Sequence, residues 1–113
     1  MIEDMKSDLE KLSLNYFNNF MNKDLLNLRK IFDDKVELID WNIQSIGIEK
    51  VLLEFEAIFS MFDIINVEIN KIYISSNTAI CDIIIFLDDT KLKVVDIISY
   101  KKDKIILINA YKQ

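Results

Sequence analysis

Histidine and proline are absent from this sequence of 113 residues, and cysteine and glycine occur once each. Without histidine, the common zinc sites and a histidine general base are excluded. The lone cysteine, Cys81, cannot form an intramolecular disulfide, which fits a reducing compartment. Since Gly47 is the lone glycine, the chain has no glycine-rich loop of the kind that binds phosphate groups.

Basic charge and long apolar runs are also scarce. Asp and Glu number 19 against 14 Lys and Arg, which gives a formal charge of −5 and no basic patch for a nucleic acid. The longest apolar run, near residues 83–87, is far shorter than the ~18 residues that cross a membrane. The acidic N-terminal residues lack the apolar stretch of a signal peptide. We therefore expect a cytoplasmic protein with no nucleic-acid partner and no membrane partner.

The composition that remains is typical of a folded domain. Hydrophobic residues make up 51% of the chain and charged residues 29%, which argues against disorder. The length favours a single domain over residues 1–113.

Two periodicities divide the chain. Apolar residues at helical spacing predict helices at about 4–21, in a stripe that begins with Met5, and at about 48–61. A short helix is predicted between them, from its N-cap Asp24 to Phe32. Stretches at 36–39, 64–74, 78–87, 92–100 and 105–111 read as strands, the last four joined by short turns. Helices first and strands later, with short connections, predict an α+β fold with a mostly antiparallel sheet.

One carboxyl has an unusual position in the strand predicted at 92–100. Because side chains alternate along a strand, Asp96 shares its face with four large neighbours: Leu92, Val94, Ile98 and Tyr100. An ionised carboxylate there is costly unless it is paired, hydrogen-bonded or neutralised. We therefore predict that Asp96 faces a pocket. The alternatives are a kink that turns it to solvent, or a nearby lysine that reaches it.

The opposite face of the last strands is apolar as well. Three short helices cover only one side of a sheet, so the second side would expose a patch of five side chains: Val95, Ile97, Ile105, Leu107 and Tyr111. This pattern predicts a homodimer through the outer sheet face.

Several stretches resemble the ketosteroid isomerase-like and SnoaL-like branch of the nuclear transport factor 2-like superfamily. They are Tyr16-Phe17 through Asp24-Leu25-Leu26, residues 31–38, Gly47-Ile48-Glu49-Lys50-Val51, Val95-Asp96-Ile97, and Lys104-Ile105 to Ala110-Tyr111. Together they cover about residues 12–111. The resemblance implies three helices packed on a curved, mostly antiparallel sheet that forms a conical pocket, a cystatin-like roll.

The resemblance also implies roles for three residues. Asp40 corresponds to the isomerases' catalytic base, and Tyr16 and a neutral Asp96 correspond to the pair that stabilises the enolate oxygen. Phe32 and Phe55 stand where those isomerases carry supporting tyrosines. From the residues alone, the first interpretation of Asp40 is a turn aspartate, and the first interpretation of Tyr16 is a core tyrosine.

Aromatic residues near these positions predict a pocket for a small apolar ligand. The predicted lining residues are Phe20, Trp41, Phe55, Phe59, Val94 and Ile98. Aromatic stripes at helical spacing are more often plain core, which is the first interpretation for Phe20 and for Phe62.

Two functions remain open from the sequence. The first is an isomerase- or cyclase-type enzyme that acts on an apolar carbonyl compound without a cofactor or a metal, with Asp40, Tyr16 and Asp96 as its catalytic residues. The second is a non-catalytic ligand-binding or dimerisation module of the same fold. An epoxide hydrolase of this superfamily uses an arginine between two aspartates, whereas the lone arginine, Arg29, lies outside the apolar stripe of its predicted helix.

Overall fold

In the computed structural model of the protein, three helices precede most of a six-stranded sheet. The structure describes the backbone of residues 2–113 and the side chains of residues 6–113. The helices are α1 (Ile2–Met21), α2 (Leu25–Ile31) and α3 (Ile48–Met61). The strands are β1 (Phe32–Ile39), β2 (Gln44–Ile46), β3 (Ile65–Ser75), β4 (Thr78–Leu87), β5 (Thr90–Lys101) and β6 (Lys104–Lys112). In the described part of the chain, no helix has the length and apolar character needed to cross a membrane.

The strands form one sheet in the order β2-β1-β6-β5-β4-β3. Every neighbouring pair is antiparallel except β1 with β6, so the predicted α+β architecture with a mostly antiparallel sheet is confirmed. The tight turns rely on residues with positive φ, since no glycine is available: Ser76, Asp88, Lys102 and Asp103. Their φ angles of 50° to 67° lie in the left-handed region, which asparagine and aspartate tolerate best among residues with a side chain.

Helix α1 lays its apolar stripe on the inner face of the sheet. Leu9, Tyr16 and Phe20 are buried there, and Leu12 is half-buried. The side chain of Met5, which begins the predicted stripe, lies outside the described residues. Asp24 caps α2 as predicted, because its Oδ1 accepts a hydrogen bond from the backbone N–H of Asn27 at 3.0 Å.

The boundary between α2 and β1 differs from the prediction. Phe32 was expected to be the last apolar position of the helix, but its backbone is extended and it begins the strand. It pairs with Ile105 of β6, and its side chain is only 2% exposed. Long-range pairing with β6 therefore decides this position over the local helical pattern.

A bulge in β6 changes which face one residue occupies. Tyr100 pairs with Ile105 and Ser99 pairs with Leu107, so Ile106 is an extra residue between them. Ile105 is therefore on the inner face and fully buried, whereas strict alternation had placed it on the outer face with Leu107. The predicted outer patch loses this member.

Gly47 is the entry to α3 and has a backbone that other residues rarely adopt. Its φ is 97° and its ψ is 143°. Its N–H donates to the Val36 carbonyl at 2.8 Å, and its own carbonyl accepts the first helical hydrogen bond from Val51 at 3.0 Å. These bonds fix the conformation and aim α3 across the inner face of the sheet.

We predict that Gly47→Ala lowers the free energy of unfolding by about 1–3 kcal/mol, the usual cost of a side chain in such a conformation. The loss is a backbone effect, because an added Cβ meets no atom within 4 Å. Urea unfolding measures it, with Glu56→Ala on the exposed face of α3 as the control, for which a change within about 0.5 kcal/mol is expected. Equal midpoints for wild type and Gly47→Ala contradict the assignment.

Candidate active site

A cavity of about 280 Å³ lies between α1, α3 and the inner face of the sheet. Most of its lining is apolar: Phe17, Phe20, Leu38, Trp41, Ile43, Phe55, Ile58, Met61, Phe62, Ile85, Leu87, Leu92, Val94, Ile108 and Ala110. Its remaining lining residues are Tyr16, Asp40, Asn42 and Asp96. The three residues predicted as catalytic therefore share one cavity.

The neighbours of Asp96 in the sheet explain the hollow above it. Asp96 pairs with Cys81 of β4 on one side and with Ala110 of β6 on the other. Because paired residues present their side chains to the same face, two small side chains flank the carboxyl. Larger residues at these positions would fill the space that the cavity occupies.

The Asp96 carboxyl is buried and has no counter-charge. Asp96 is 5% exposed, and no hydrogen bond of its side chain occurs among the described residues. Burial first, and the nearby Asp40 carboxylate second, raise the pKa of Asp96 from 3.8 to about 7. Near neutral pH, Asp96 is therefore protonated in a large fraction of molecules and can donate a hydrogen bond.

Tyr16 reaches the same cavity from α1. It is 4% exposed, and burial raises its pKa well above 10, so its hydroxyl keeps its proton. The described hydrogen bonds include none from this hydroxyl, and every fully enclosed polar side-chain atom described has a partner, so the Tyr16 oxygen borders the open cavity. Its ring contacts Phe32 and Phe55, with centroids at 6.2 Å and 6.3 Å, which cannot hydrogen-bond to it.

Tyr100, also on the inner face of β5, differs from Tyr16 because its hydroxyl has a partner. Ser13 donates its single hydroxyl proton to the Leu9 carbonyl at 2.8 Å. In the 2.7 Å contact between Ser13 and Tyr100, the tyrosine is therefore the donor. This pair satisfies Tyr100 within the core and leaves Tyr16 as the hydroxyl available to a ligand.

Asp40 follows the end of β1 and has two roles. Its Oδ1 accepts the backbone N–H groups of Asn42 and Ile43, each at 2.7 Å, so it closes the turn, as one interpretation of the sequence expected. Asp40 also lines the cavity, and no hydrogen bond to its Oδ2 occurs in the described chain. The turn thus holds the carboxylate in place while one oxygen stays available.

The predicted lining residues divide into two groups. Phe20, Trp41, Phe55 and Val94 line the cavity, and Phe20 does so although core was its first interpretation. The structure does not place Phe59 or Ile98 there.

The reason is packing depth. The Phe59 ring packs behind those of Phe20 and Phe55, with centroids at 5.8 Å and 6.1 Å. Ile98 is fully enclosed between its strand neighbours Ala79 and Ile108.

The prediction also missed several lining residues. Asn42 and Ile43 belong to the loop after β1, which carries no periodic signal, and Met61 closes α3 with 70% exposure. The Asp-Trp-Asn sequence before Ile43, at the end of a strand, was a usable signal for a polar mouth.

Among the residues whose side chains are described, no basic residue lines the cavity. Arg29 lies in a separate groove and pairs with Glu49 at 2.7 Å, so the arginine of the epoxide hydrolase arrangement is not between Asp40 and Asp96. Within residues 6–113, no group of three acidic or cysteine side chains is arranged to hold a metal ion. Burial raises the pKa of the Cys81 thiol to about 12, so this neighbour of Asp96 stays uncharged.

Comparison with known proteins identifies the fold. No family model matches the sequence, and no curated protein is similar to it in sequence. A candidate ketosteroid isomerase from Kribbella flavida has a similar structure, with a TM-score of 0.84, 11% identity and coverage of 95% of this chain and 78% of that chain. A candidate SnoaL-like polyketide cyclase from a Jannaschia species is similar as well, with a TM-score of 0.82, 12% identity and coverage of 95% of this chain and 86% of that chain.

An LEH-like epoxide hydrolase from M. tuberculosis is also similar, with a TM-score of 0.79, 11% identity and coverage of 95% and 84%. Identities this low carry information about the fold and not about the reaction. The protein therefore has the nuclear transport factor 2-like fold, as the resemblance of its sequence implied.

We predict that Asp96→Asn stabilises the protein at pH 8 by up to about 4 kcal/mol, the equivalent of a pKa change from 3.8 to about 7. Wild type binds one more proton when folded than when unfolded between about pH 4 and pH 7, so its stability falls across this window. Asp96→Asn has no carboxyl at this position, so the stability of the variant does not fall for this reason. Urea midpoints at pH 4, 6 and 8 measure the difference. The same pH slope in both proteins contradicts a buried, uncompensated Asp96.

Proposed function

We propose that the cavity is the active site of a cofactor-independent enzyme that transfers a proton within a small apolar carbonyl compound, in a reaction of the isomerase or cyclase type. The observation that carries this proposal is that one apolar cavity contains a free carboxylate oxygen and two buried proton donors. Asp40, Tyr16 and Asp96 supply them from three different elements.

Asp40 is the base in this reaction. Its Oδ2 takes a proton from the carbon next to the carbonyl group, and the electron pair of the broken C–H bond moves to the carbonyl oxygen. The same carboxyl then returns the proton to another carbon of the enolate. The two backbone N–H groups on Oδ1 hold the carboxylate in a fixed orientation. A positioned base of this kind contributes about 10²–10⁴-fold to the rate.

Tyr16 and protonated Asp96 stabilise the negative charge on the enolate oxygen. Both are buried, and burial favours their protonated forms. Donors fixed in a water-poor site are typically worth roughly 2.7–4 kcal/mol each to the transition state. Solved proteins of this fold named as an isomerase and a cyclase are consistent with such chemistry.

A second candidate function is a ligand-binding module without turnover. The observation in its favour is that Phe32 and Phe55 lie beside Tyr16. Neither has a hydroxyl group that could donate a hydrogen bond to the Tyr16 oxygen. In that case the cavity holds an apolar ligand, and the hydrogen bonds of Tyr16 and Asp96 only orient it.

We predict that wild type exchanges the α-hydrogens of a small cyclic enone with deuterium and that Asp40→Asn slows this exchange at least 100-fold. Asparagine accepts the same two turn hydrogen bonds, so the variant keeps the turn while losing the base. Mass spectrometry follows the exchange, and Asp103→Asn, in the exposed β5–β6 turn, is the charge-matched control. Full exchange by Asp40→Asn contradicts the role of this base. Binding without exchange by wild type favours the second candidate.

We also infer that the outer face of the sheet forms a two-fold homodimer. Its apolar side chains are half-buried or exposed in the single chain, and include Val95, Ile97 and Leu107 near its centre and Tyr111, which is 54% exposed. Neighbouring Ile80 extends this surface onto β4, since it pairs with Ile97. Polar residues interrupt this face, since Asp82 pairs with Val95 and Asn109 pairs with Ile97. Apolar side chains exposed at this density are still typical of an interface between identical chains.

We predict that the wild-type protein scatters light at twice the 13.3 kDa chain mass at tens of micromolar. Ile97→Lys is expected to shift it to the monomer, because a lysine in the centre of the outer face must lose its hydration on association. Leu53→Lys places the same change on α3, at a residue 64% exposed, and is expected to leave the dimer intact. A monomeric wild type contradicts the dimer.

A further inference from the structure

We propose that the ligand of this cavity is a small organic cation, an ammonium group attached to an apolar body, held beside Asp40 and Asp96. This inference rests on the proposed function of the cavity and names the chemical class of its substrate. It depends on the charges, the aromatic walls and the size of the cavity.

The described lining residues of the cavity include acidic groups and no basic ones. Asp40 and Asp96 are its ionisable carboxyls, and neither lysine nor arginine is among its lining residues. Asp96 is 5% exposed and has no hydrogen-bond partner among the described side chains, although it borders the cavity. A buried carboxyl without a counter-charge is energetically costly. A cationic ligand supplies the missing charge.

The proposed reaction does not change this balance. When the substrate gives its proton to Asp40, the negative charge moves from the carboxylate to the enolate oxygen. With Asp96 protonated, the cavity therefore carries one negative charge before and after the transfer. A positive group elsewhere on the substrate is attracted at both stages, so it strengthens binding without selectively accelerating the proton transfer.

Aromatic rings form much of the wall. Six of the lining residues are aromatic: Tyr16, Phe17, Phe20, Trp41, Phe55 and Phe62. Aromatic faces attract cations within about 6 Å, and organic ammonium groups are favoured ligands of such walls. The Lys112 Nζ lies 5.3 Å from the centroid of the Trp41 ring, so a ligand cation depends on the other five rings of the wall.

The size and the chemistry of the cavity limit the ligand further. A volume of about 280 Å³ equals that of about nine water molecules at ~30 Å³ each, which corresponds to one ring with a short side chain. An inorganic cation is disfavoured, because among the described side chains no three metal-binding groups converge. A one-ring amine such as benzylamine suits both limits.

The groups around Asp96 make its proton a reporter of binding. Tyr16 faces it from α1 and Cys81 from β4, and burial keeps both neutral. The charged group that affects the pKa of Asp96 is Asp40, whose carboxylate raises it. A carbonyl substrate accepts a hydrogen bond from protonated Asp96, which keeps the proton in place. Benzylamine has no such acceptor, and its cation favours the ionised form of Asp96, so benzylamine binding near pH 7 releases a proton to the buffer.

The experiment compares three ligands of nearly equal shape by calorimetry at pH 7.5 and low salt: benzylamine, benzyl alcohol and benzoate. We expect benzylamine to bind at least tenfold more tightly than benzyl alcohol, and benzoate to bind most weakly. In buffers of different ionisation enthalpy, benzylamine binding at pH 7 is expected to release protons, and benzyl alcohol binding is not. Equal affinities for benzylamine and benzyl alcohol, or binding of neither, overturn the proposal.

Two variants locate the effect. Asp40→Asn is expected to weaken benzylamine at least tenfold while benzyl alcohol changes less than twofold, and Asp96→Asn is expected to abolish the proton release. Asp103→Asn removes the same charge from the exposed turn at the far end of β5 and is expected to change neither affinity. A preference for benzylamine that survives in both Asp40→Asn and Asp96→Asn overturns the proposal.

The outcome is separable from that of the proposed function. Deuterium exchange into a neutral enone without any preference for benzylamine overturns the cation inference and leaves the proton-transfer reaction standing. A preference for benzylamine that requires Asp40, in a protein that exchanges neither the enone nor a one-ring amino ketone, supports the cation site and overturns the enzymatic function.

Discussion

The burial of the Asp96 carboxyl in an apolar layer is the constraint on which the site depends. Two small strand neighbours, Cys81 and Ala110, leave a hollow above it, and the cavity occupies this hollow. Burial, and to a smaller extent the nearby Asp40 carboxylate, raise its pKa to about 7. Three paired residues on adjacent strands, Cys81, Asp96 and Ala110, thus produce both the space and the chemistry of the site.

Burying the Asp96 carboxyl lowers the stability of the folded protein. Apolar residues at this position would avoid the cost of burying a carboxyl, and the rest of the inner face consists largely of them. The surrounding core is well determined, with aromatic rings packed against each other from Phe17 to Phe59. Such a core can accommodate one unfavourable group, and groups of this kind are concentrated at functional sites.

The fold itself leaves the reaction open. Proteins named as an isomerase, a cyclase and an epoxide hydrolase share this architecture at 11% to 12% identity. Among the described residues, the cavity of this chain contains two carboxyls, one tyrosine hydroxyl without a hydrogen-bond partner and no basic group. Arg29, ion-paired with Glu49 in another groove, cannot serve there. The choice among chemistries therefore follows from the residues of the site and not from the fold.

The sequence by itself determined the order of the three helices and of five of the six strands, the inner face of β5 and the turns, because these follow from local periodicity and local backbone preference. It did not predict β2, whose three residues are a strand through their pairing with β1. Only the tertiary structure decided that Phe32 belongs to β1, that a bulge moves Ile105 inward, and that Phe62 rather than Phe59 borders the cavity. Each of these depends on partners distant in the chain. Periodicity shows which side of an element is apolar, whereas strand register and packing depth decide what that side meets.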